Sequence, residues 1–241
     1  MFVMPVYGQV GQGDTYYARF GLGVSADRYL KGKTTYTEED VPVTYEFNPF
    51  TSVSFYVSYR LFGAKKHQFW VGAKLSMYYT DETIYVTPGQ YIDNPRLGTE
   101  LRAITRGDDD IVSLSLTYKY FFNIKQVRFN AFVSALPGYE DNWGGETEFG
   151  RYNIDVYNKE LNRHNDQFRF NIEVGIGLYI KTKFFIIEPQ ILFNKSFTDI
   201  WITELHVTGI QNRPYTSYRG SIRQSGDYYA FGLNFIPKKF W

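Results

Sequence analysis

The sequence predicts an all-β fold: an eight-stranded antiparallel up-and-down transmembrane β-barrel. Segments of roughly ten residues alternate apolar and polar side chains with a period of two, as expected for strands whose two faces meet different environments. The connections between these segments are alternately long and short. Aromatic residues make up 20% of the 241 residues, yet the mean hydropathy is only −0.35. A barrel with an apolar outside and a polar inside combines these properties.

Composition excludes several other classes of protein. The net charge of +1 argues against nucleic acid as a partner. The absence of cysteine excludes disulfides, thiolate metal sites and cysteine nucleophiles. No run of about 18 apolar residues is present, so no transmembrane helix is expected.

Alternation predicts the first four strands. The first, Thr15–Ser25, sets a row of apolar residues against Arg19 and glycines. The second, Thr51–Leu61, is preceded by an alternating segment, Val41–Phe47, so we expect it to begin early and to break at Asn48 and Pro49, since proline cannot donate to a strand ladder. The third and fourth strands are predicted at Gln68–Thr80 and Ile111–Phe121.

The next three strands are Val127–Leu136, Gln167–Ile180 and Phe184–Asn194. Pro189 lies inside the seventh strand and predicts a bulge there. The predicted connections are short at 62–67, 122–126 and 181–183, and long at 26–50, 81–110, 137–166 and 195–226. This layout predicts short periplasmic turns, four long extracellular loops and both termini in the periplasm.

The last stretch, from Tyr228, predicts the strand that closes the barrel by pairing with the first. Ala230, Gly232 and Asn234 form its polar face. Its apolar face and the aromatic pair at the end of the chain comprise Tyr229, Phe231, Leu233, Phe235, Phe240 and Trp241.

Isolated charges on the polar faces predict a charge network inside the barrel. These residues are Arg19, Arg60, Lys74, Lys119, Arg128, Arg169, Glu173 and Glu188. Charges enclosed in a narrow lumen must be paired or hydrated. Counting positions from the turns places Glu188 beside Arg19 and Arg128, and Glu173 near Lys74.

A soluble lipocalin-like barrel also alternates, but the predicted apolar faces carry no charge, which favours a membrane barrel.

Two features of the loops suggest contacts with other molecules. Trp201, Ile202 and Leu205 lie in a strand-like segment of the last long loop, which either extends the final hairpin or docks a partner. The acidic runs 38–40 and 108–110 either bind divalent cations that bridge lipopolysaccharide phosphates or are solvated loop charges.

With this strand pattern and the ending Phe240-Trp241, the chain resembles small outer-membrane β-barrels of the OmpA/OmpX kind, with the long aromatic-rich loops typical of Bacteroidota envelope proteins. The resemblance spans Thr15–Trp241 and implies an outer-membrane location. The closing strand resembles the sorting signal that the barrel-assembly machinery reads. Residues 1–9 resemble the end of a secretory signal peptide or form a disordered N-terminus, and 10–241 form the barrel.

The sequence carries no recognisable catalytic or metal-binding motif. His206-Val207-Thr208 is its nearest approach to the His/Ser pair of lipid A deacylases, with Thr in place of Ser. We therefore expect a non-enzymatic structural or accessory barrel without cofactor or metal. Its loops would contact a partner protein in a larger outer-membrane complex, lipopolysaccharide or a surface ligand. A small porin-like channel is the alternative, and a lipid-modifying enzyme is a third.

Overall fold

The computed structural model describes most of the chain with gaps. The described residues are 19–30, 33–36, 43–48, 51–63, 66–79, 81–86, 100–101, 108–141, 146–151, 154–160, 168–208 and 217–238. Three predicted features lie outside them: the segment 1–9, the acidic run 38–40, and the final pair Phe240 and Trp241. No helix in the described part of the chain has the length and apolar character needed to cross a membrane.

The described residues form seventeen strands. In chain order they are β1 Phe20–Tyr29, β2 Lys33–Tyr36, β3 Val43–Asn48, β4 Thr51–Gly63, β5 His67–Tyr79, β6 Asp81–Val86, β7 Glu100–Leu101, β8 Asp108–Ile124, β9 Val127–Asp141, β10 Glu146–Arg151, β11 Ile154–Glu160, β12 Phe168–Leu178, β13 Ile180–Lys181, β14 Phe185–Ser196, β15 Asp199–Thr208, β16 Ser217–Ser225 and β17 Tyr228–Pro237.

Eight long strands close into an antiparallel barrel, which confirms the predicted fold. Around the ring they follow the order β1, β4, β5, β8, β9, β12, β14 and β17, and β13 continues β12 after an interruption at Tyr179. The ring closes where β17 pairs with β1, with Leu22 opposite Phe235 and Tyr29 opposite Tyr228. The predicted closing strand is therefore confirmed.

The strand register fixes the tilt and width of the barrel. From Arg169 on β12, the paired residues lead once around the ring to Glu188 on β14. The register of β14 with β12 and β13 then leads to Tyr179, ten residues further along the chain than Arg169. With about 3.3 Å per residue and about 4.8 Å between strands, this stagger gives a tilt of about 41° and a backbone diameter of about 16 Å. An interior of this width is filled by side chains.

The outer wall is apolar between two polar margins. Among the described residues, twenty-six large apolar side chains are exposed, including Ile191 at 68% and Ile176 at 57%. The outward-facing charges Arg28, Asp110 and Lys195 lie near the long loops. After tilt, the uncharged outward row spans about 30 Å along β8 and about 20 Å along β14, which brackets the apolar band of about 25 Å in membrane barrels.

Four strands extend further toward the long loops than predicted. The first continues to Tyr29, the fourth begins at Asp108, the fifth runs to Asp141 and the seventh runs to Ser196. Local turn residues suggested earlier ends, but pairing with neighbouring strands keeps these segments in the sheet. Asp108–Asp110, expected in a loop, therefore belong to β8.

The predicted bulge at Pro189 is wrong. β14 keeps its register with β17 through Pro189, which lies opposite Leu233. Proline has no amide hydrogen to donate to a neighbouring strand. No donor is needed toward β12 and β13, because the pairing of β14 with these strands is interrupted at Tyr179, between Leu178 and Ile180.

Beyond the barrel, the long connections form two smaller sheets. One has five strands in the order β10, β11, β15, β16 and β2, and the other has three in the order β3, β6 and β7. β15 and β16 form an antiparallel hairpin that extends the last two barrel strands, as one of the two interpretations of this loop predicted. The separate segment β3 before β4 confirms that the second strand has an early, broken beginning.

Candidate functional site: a charged and filled barrel lumen

The barrel has two ends, which we call the loop end and the turn end. The turn end carries the short connections, together with the beginning of β1 and the end of β17. The lumen-facing side of the wall holds most of the buried polar residues, because alternate positions of each strand point inward. Its chemistry centres on two buried ion pairs.

The first charged cluster surrounds Lys74. Its Nζ donates to Glu173 Oε1 at 2.6 Å and to the Tyr228 hydroxyl at 2.7 Å. The Tyr228 hydroxyl donates in turn to Glu173 Oε1 at 2.6 Å. All three residues are buried. Lys74 lies on β5 and Glu173 on β12, three places apart in the ring, so the pair crosses the lumen.

Asp27 adds a second carboxylate to this cluster. It is fully buried and lies 3.9 Å from Lys74 Nζ. Its oxygens accept hydrogen bonds from the hydroxyls of Ser25, at 2.6 Å, and Ser54. Two carboxylates thus share one ammonium group, and neutral donors stabilise the second carboxylate.

The second charged cluster surrounds Glu188, which is 0% exposed. Its Oε2 accepts hydrogen bonds from Lys119 Nζ at 2.5 Å, Asn234 Nδ2 at 3.0 Å and Gln190 Nε2 at 3.4 Å. Lys119 Nζ also lies 5.1 Å from the centre of the Trp70 ring, an arrangement that favours a cation. This pair joins β8 to β14 and also crosses the lumen.

Bulky side chains fill the space around these clusters. Trp70 and Phe132 are buried on the inner wall, and glycine provides the room that some of these rings need: a Cβ on Gly175 would lie 2.6 Å from the ring of Phe132. Near the turn end, the Arg128 guanidinium lies 4.7 Å from the ring centre of Phe121 and 4.9 Å from that of Tyr179.

A small cavity remains between the two charged clusters. Its volume is about 50 Å³, and Lys74, Glu173 and Lys119 contribute to its lining. Since one water needs about 10–15 Å³ measured in this way, the cavity has room for about three to five waters. The Tyr56 hydroxyl and Asn234 Oδ1 also line it and have no hydrogen-bond partner among the described protein atoms, so water is their expected ligand.

The structure brings together only part of the predicted network. Lys74, Lys119, Glu173, Glu188, Arg60 and Arg169 are buried, and Arg128 is half-buried. Arg19 is exposed at the turn end, where it donates to the Tyr59 hydroxyl at 3.3 Å. Glu188 is therefore paired with Lys119 and not with Arg19. The prediction from residue counts along each strand was wrong for this pair. Because the strands are tilted, residues at the same count from the turn end lie at different positions around the barrel.

Two members of the first cluster, Asp27 and Tyr228, were not predicted from the sequence. Asp27 was placed in a loop because the first strand was expected to end at Ser25. Tyr228 was assigned no role, although it has the same parity as the inward residues Ala230 and Asn234. Continuing the alternation by two residues at the end of one strand and at the start of the other would have found both.

The residues predicted for assembly and partner contact lie elsewhere. Tyr229, Phe231 and Phe235 are exposed on the outer wall and Leu233 is partly exposed. Trp201, Ile202 and Leu205 lie in β15 of the five-stranded sheet. In the part of the chain that the structure describes, no group of three or more histidine or acidic side chains is arranged to hold a metal ion.

Comparisons with known proteins find similar solved structures only. No protein-family model matches the chain, and no curated protein matches it. The outer membrane protein OprG from Pseudomonas aeruginosa is 10% identical, with a TM-score of 0.45, over 91% of this chain and 96% of that one. Neisserial surface protein A is 10% identical, with a TM-score of 0.37, over 89% and 95% of the two chains.

The outer membrane protein AlkL, solved in lipid bilayers, is 9% identical with a TM-score of 0.37, over 95% of each chain. The assignment of an eight-stranded barrel rests on the strand register described above and not on these likenesses.

Proposed function

We propose that this protein is a non-enzymatic barrel of the outer membrane that is closed to solutes and acts through its loop end. The role is structural or accessory, in contact with a partner protein, lipopolysaccharide or a surface ligand. The observation that supports it best is the occupied lumen. Two buried ion pairs cross the barrel, and large side chains fill the space around them.

The outer wall supports residence in a membrane. Its exposed aliphatic and aromatic side chains form a continuous belt, far larger than the apolar patches that soluble monomers expose. A closed ring leaves no strand edge unpaired. A sheet that spans a bilayer requires this, because the lipid offers no hydrogen-bond partners to its backbone. Exposed aromatic residues at the turn end, such as Phe62 and Phe184, and at the loop end, such as Phe168 and Tyr229, fit the two interfaces of a bilayer.

The lumen supports a closed barrel over a channel. A continuous water-filled path would need space past Trp70, Phe132 and the two ion pairs, whereas the cavity between the pairs holds only a few waters. The long connections, by contrast, form two smaller sheets beyond the barrel. Sheets of this kind provide a surface for other molecules, so function is assigned to the loop end.

Planar-bilayer recording tests the closed lumen. We expect the wild-type protein to show no steady ion conductance. Trp70→Ala, which removes a buried lumen side chain, should introduce a leak, whereas Val133→Ala on the outer wall should not. Steady conductance by the wild-type protein would establish the porin-like alternative and refute the proposal.

Purification in mild detergent tests the accessory role. A partner protein or lipopolysaccharide should co-purify in a fixed ratio from native outer membranes. Shaving the loop end with protease on intact cells should release that partner while the barrel remains in the membrane. Recovery of the protein alone, in both mild detergent and native membrane patches, would contradict the accessory role.

A further inference from the structure

The described residues of the turn end carry positive charges and no negative one. They include lysine and arginine side chains but no aspartate or glutamate, over the ranges 19–21, 60–63, 66–69, 121–129, 178–186 and 235–238. Exposed lysines lie on or beside the three short connections, at Lys66, Lys125, Lys181 and Lys183. They are therefore spread around the rim of the barrel. A rim with one sign of charge concentrates ions of the opposite sign.

Arg60 is the buried cation of the turn end. It has the inward parity of β4 and is 8% exposed, so it is covered but not sealed from solvent. Lys74 and Lys119, deeper in the lumen, are each held by a carboxylate, at 2.6 and 2.5 Å. By contrast, no carboxylate in the described part of the chain forms an ion pair with Arg60, and no described acceptor takes a hydrogen bond from its guanidinium.

The groups around Arg60 do not compensate its charge. Those with the strongest electrostatic influence on it are Arg19, Tyr179 and Tyr59, none of which is a carboxylate. Arg19 is itself a cation, so it repels Arg60. A buried charge without a counter-charge costs free energy, and a bound anion would remove that cost.

Tyr179 brings a second guanidinium to the same part of the lumen. Its ring centre lies 4.9 Å from Arg128 Cζ, and the ring centre of Phe121 lies 4.7 Å from the same atom. The two rings are perpendicular, with centres 5.7 Å apart. Contacts with two rings hold the planar guanidinium of Arg128 in a fixed orientation, which reduces the entropy lost when it binds a ligand. Arg60 and Arg128 thus share Tyr179 as a neighbour.

The chemistry of arginine favours a phosphoryl group over a carboxylate at this place. A guanidinium donates two parallel hydrogen bonds to an oxyanion. A phosphoryl group offers three oxygens and up to two negative charges, so it can bridge two arginines. A carboxylate offers two oxygens and one charge, which a single arginine already satisfies.

We propose that the turn end of the lumen is a phosphate-binding site, with Arg60 as its innermost ligand and Arg128 and Arg19 as further ligands. The phosphoryl group belongs either to the headgroup of an anionic phospholipid or to a free phosphate compound in the compartment at the turn end. The rim lysines draw the anion toward the lumen. Exposed Phe62 and Phe184 place the rim at the level of lipid headgroups. Only the lipid source rests on the proposed function, because it requires residence in a membrane.

Urea unfolding with and without inorganic phosphate tests the site, in a non-ionic detergent that contains no phosphate. A ligand that binds only the folded protein lowers the unfolding equilibrium constant. With a dissociation constant of about 1 mM, about 10 mM phosphate lowers it about tenfold. We expect this shift for the wild type, and none with chloride at the same ionic strength. Arg60→Met should abolish the shift, and Arg60→Lys, which keeps the charge but loses the planar fork, should reduce it.

Two controls separate binding from general effects on stability. Lys195→Met removes an exposed cation near the loop end and should keep the full response to phosphate. Without phosphate, Arg60→Met should be at least as stable as the wild type, because it removes a buried charge that has no described counter-charge. A structural role for Arg60 predicts the opposite.

The source of the phosphoryl group is decided in lipid. The wild type and Arg60→Met are each assembled into bilayer discs of phosphatidylglycerol and phosphatidylcholine and then extracted in mild detergent. Native mass spectrometry identifies the lipids that each protein retains. An excess of phosphatidylglycerol on the wild type that is lost in Arg60→Met identifies the lipid headgroup, whereas a response to inorganic phosphate alone identifies a free phosphate compound.

Three results would overturn the proposal. The first is that neither inorganic phosphate nor phosphatidylglycerol binds. The second is an equal phosphate response in the wild type and Arg60→Met, which would mean an adventitious ion only. The third is a loss of stability in Arg60→Met without phosphate, which would show that Arg60 serves the structure of the barrel. None of these readouts depends on conductance or on a partner protein, so the site can fail while the closed barrel stands, and the reverse.

Discussion

The buried pair of Lys119 and Glu188 allows a sharp test of what holds the barrel together. The change is Lys119→Met, which keeps an unbranched side chain of similar length and removes the charge. Glu188 then stays fully buried with only the amide groups of Asn234, at 3.0 Å, and Gln190, at 3.4 Å, to stabilise its carboxylate.

The expected loss follows from burial. Removing one partner of a buried ion pair typically costs about 3–5 kcal/mol, because the other charge remains uncompensated. Such a loss lowers the folding equilibrium constant by roughly 10²- to 10⁴-fold. The double variant Lys119→Met with Glu188→Leu replaces the pair by apolar groups and should regain most of that loss, ending within about 1 kcal/mol of the wild type or above it.

Lys195 provides a matched control. It donates to Asp227 at 2.6 Å, nearly the same distance as in the buried pair, but the Lys195 side chain is 52% exposed. Exposed pairs contribute about 0–1 kcal/mol, so Lys195→Met should have little effect. The two lysine substitutions thus compare a buried ion pair with an exposed one of nearly the same nitrogen–oxygen distance.

Reversible urea unfolding in detergent micelles, followed by tryptophan fluorescence and by the gel-mobility shift of folded barrels, measures these free energies. The two single variants at the buried pair and the double variant form a thermodynamic cycle that isolates the interaction. Equal losses for Lys119→Met and Lys195→Met would refute the reasoning. So would a double variant that is no more stable than either single one.

Three other predictions address the wall and the assembly of the barrel. Gly72→Ala should lower the free energy of unfolding by about 1–3 kcal/mol, because the added Cβ would lie 2.1 Å from the Val57 carbonyl oxygen. Gly232→Ala is the control in the same urea assay, since the nearest atom to its Cβ would be 3.4 Å away. The purified protein should need detergent and migrate differently on gels before and after boiling, because its outer wall is apolar; a soluble monomer without detergent would contradict this. Deletion of Phe240 and Trp241 should slow membrane insertion and expose the chain to periplasmic proteases, and normal outer-membrane levels of the truncated chain would disprove that role.

The sequence by itself determined the strand count, the order of connections and the side of the wall on which most residues lie. A period of two is a local property, since neighbouring residues of a strand must point to opposite faces. Lys74, Lys119, Glu173 and Glu188 could therefore be assigned to the interior without any knowledge of their partners.

Counting along the strands already placed Glu173 near Lys74, but only the tertiary structure decided that Glu188 meets Lys119. A stagger of ten residues around the ring sets which positions of distant strands share a level, and no local pattern encodes that number. It pairs Glu188 with Lys119, leaves Arg19 exposed at the rim, and brings Asp27 and Tyr228 to the cluster around Lys74 and Glu173. The two smaller sheets at the loop end arise likewise from pairings between segments far apart in the chain, which no local pattern encodes.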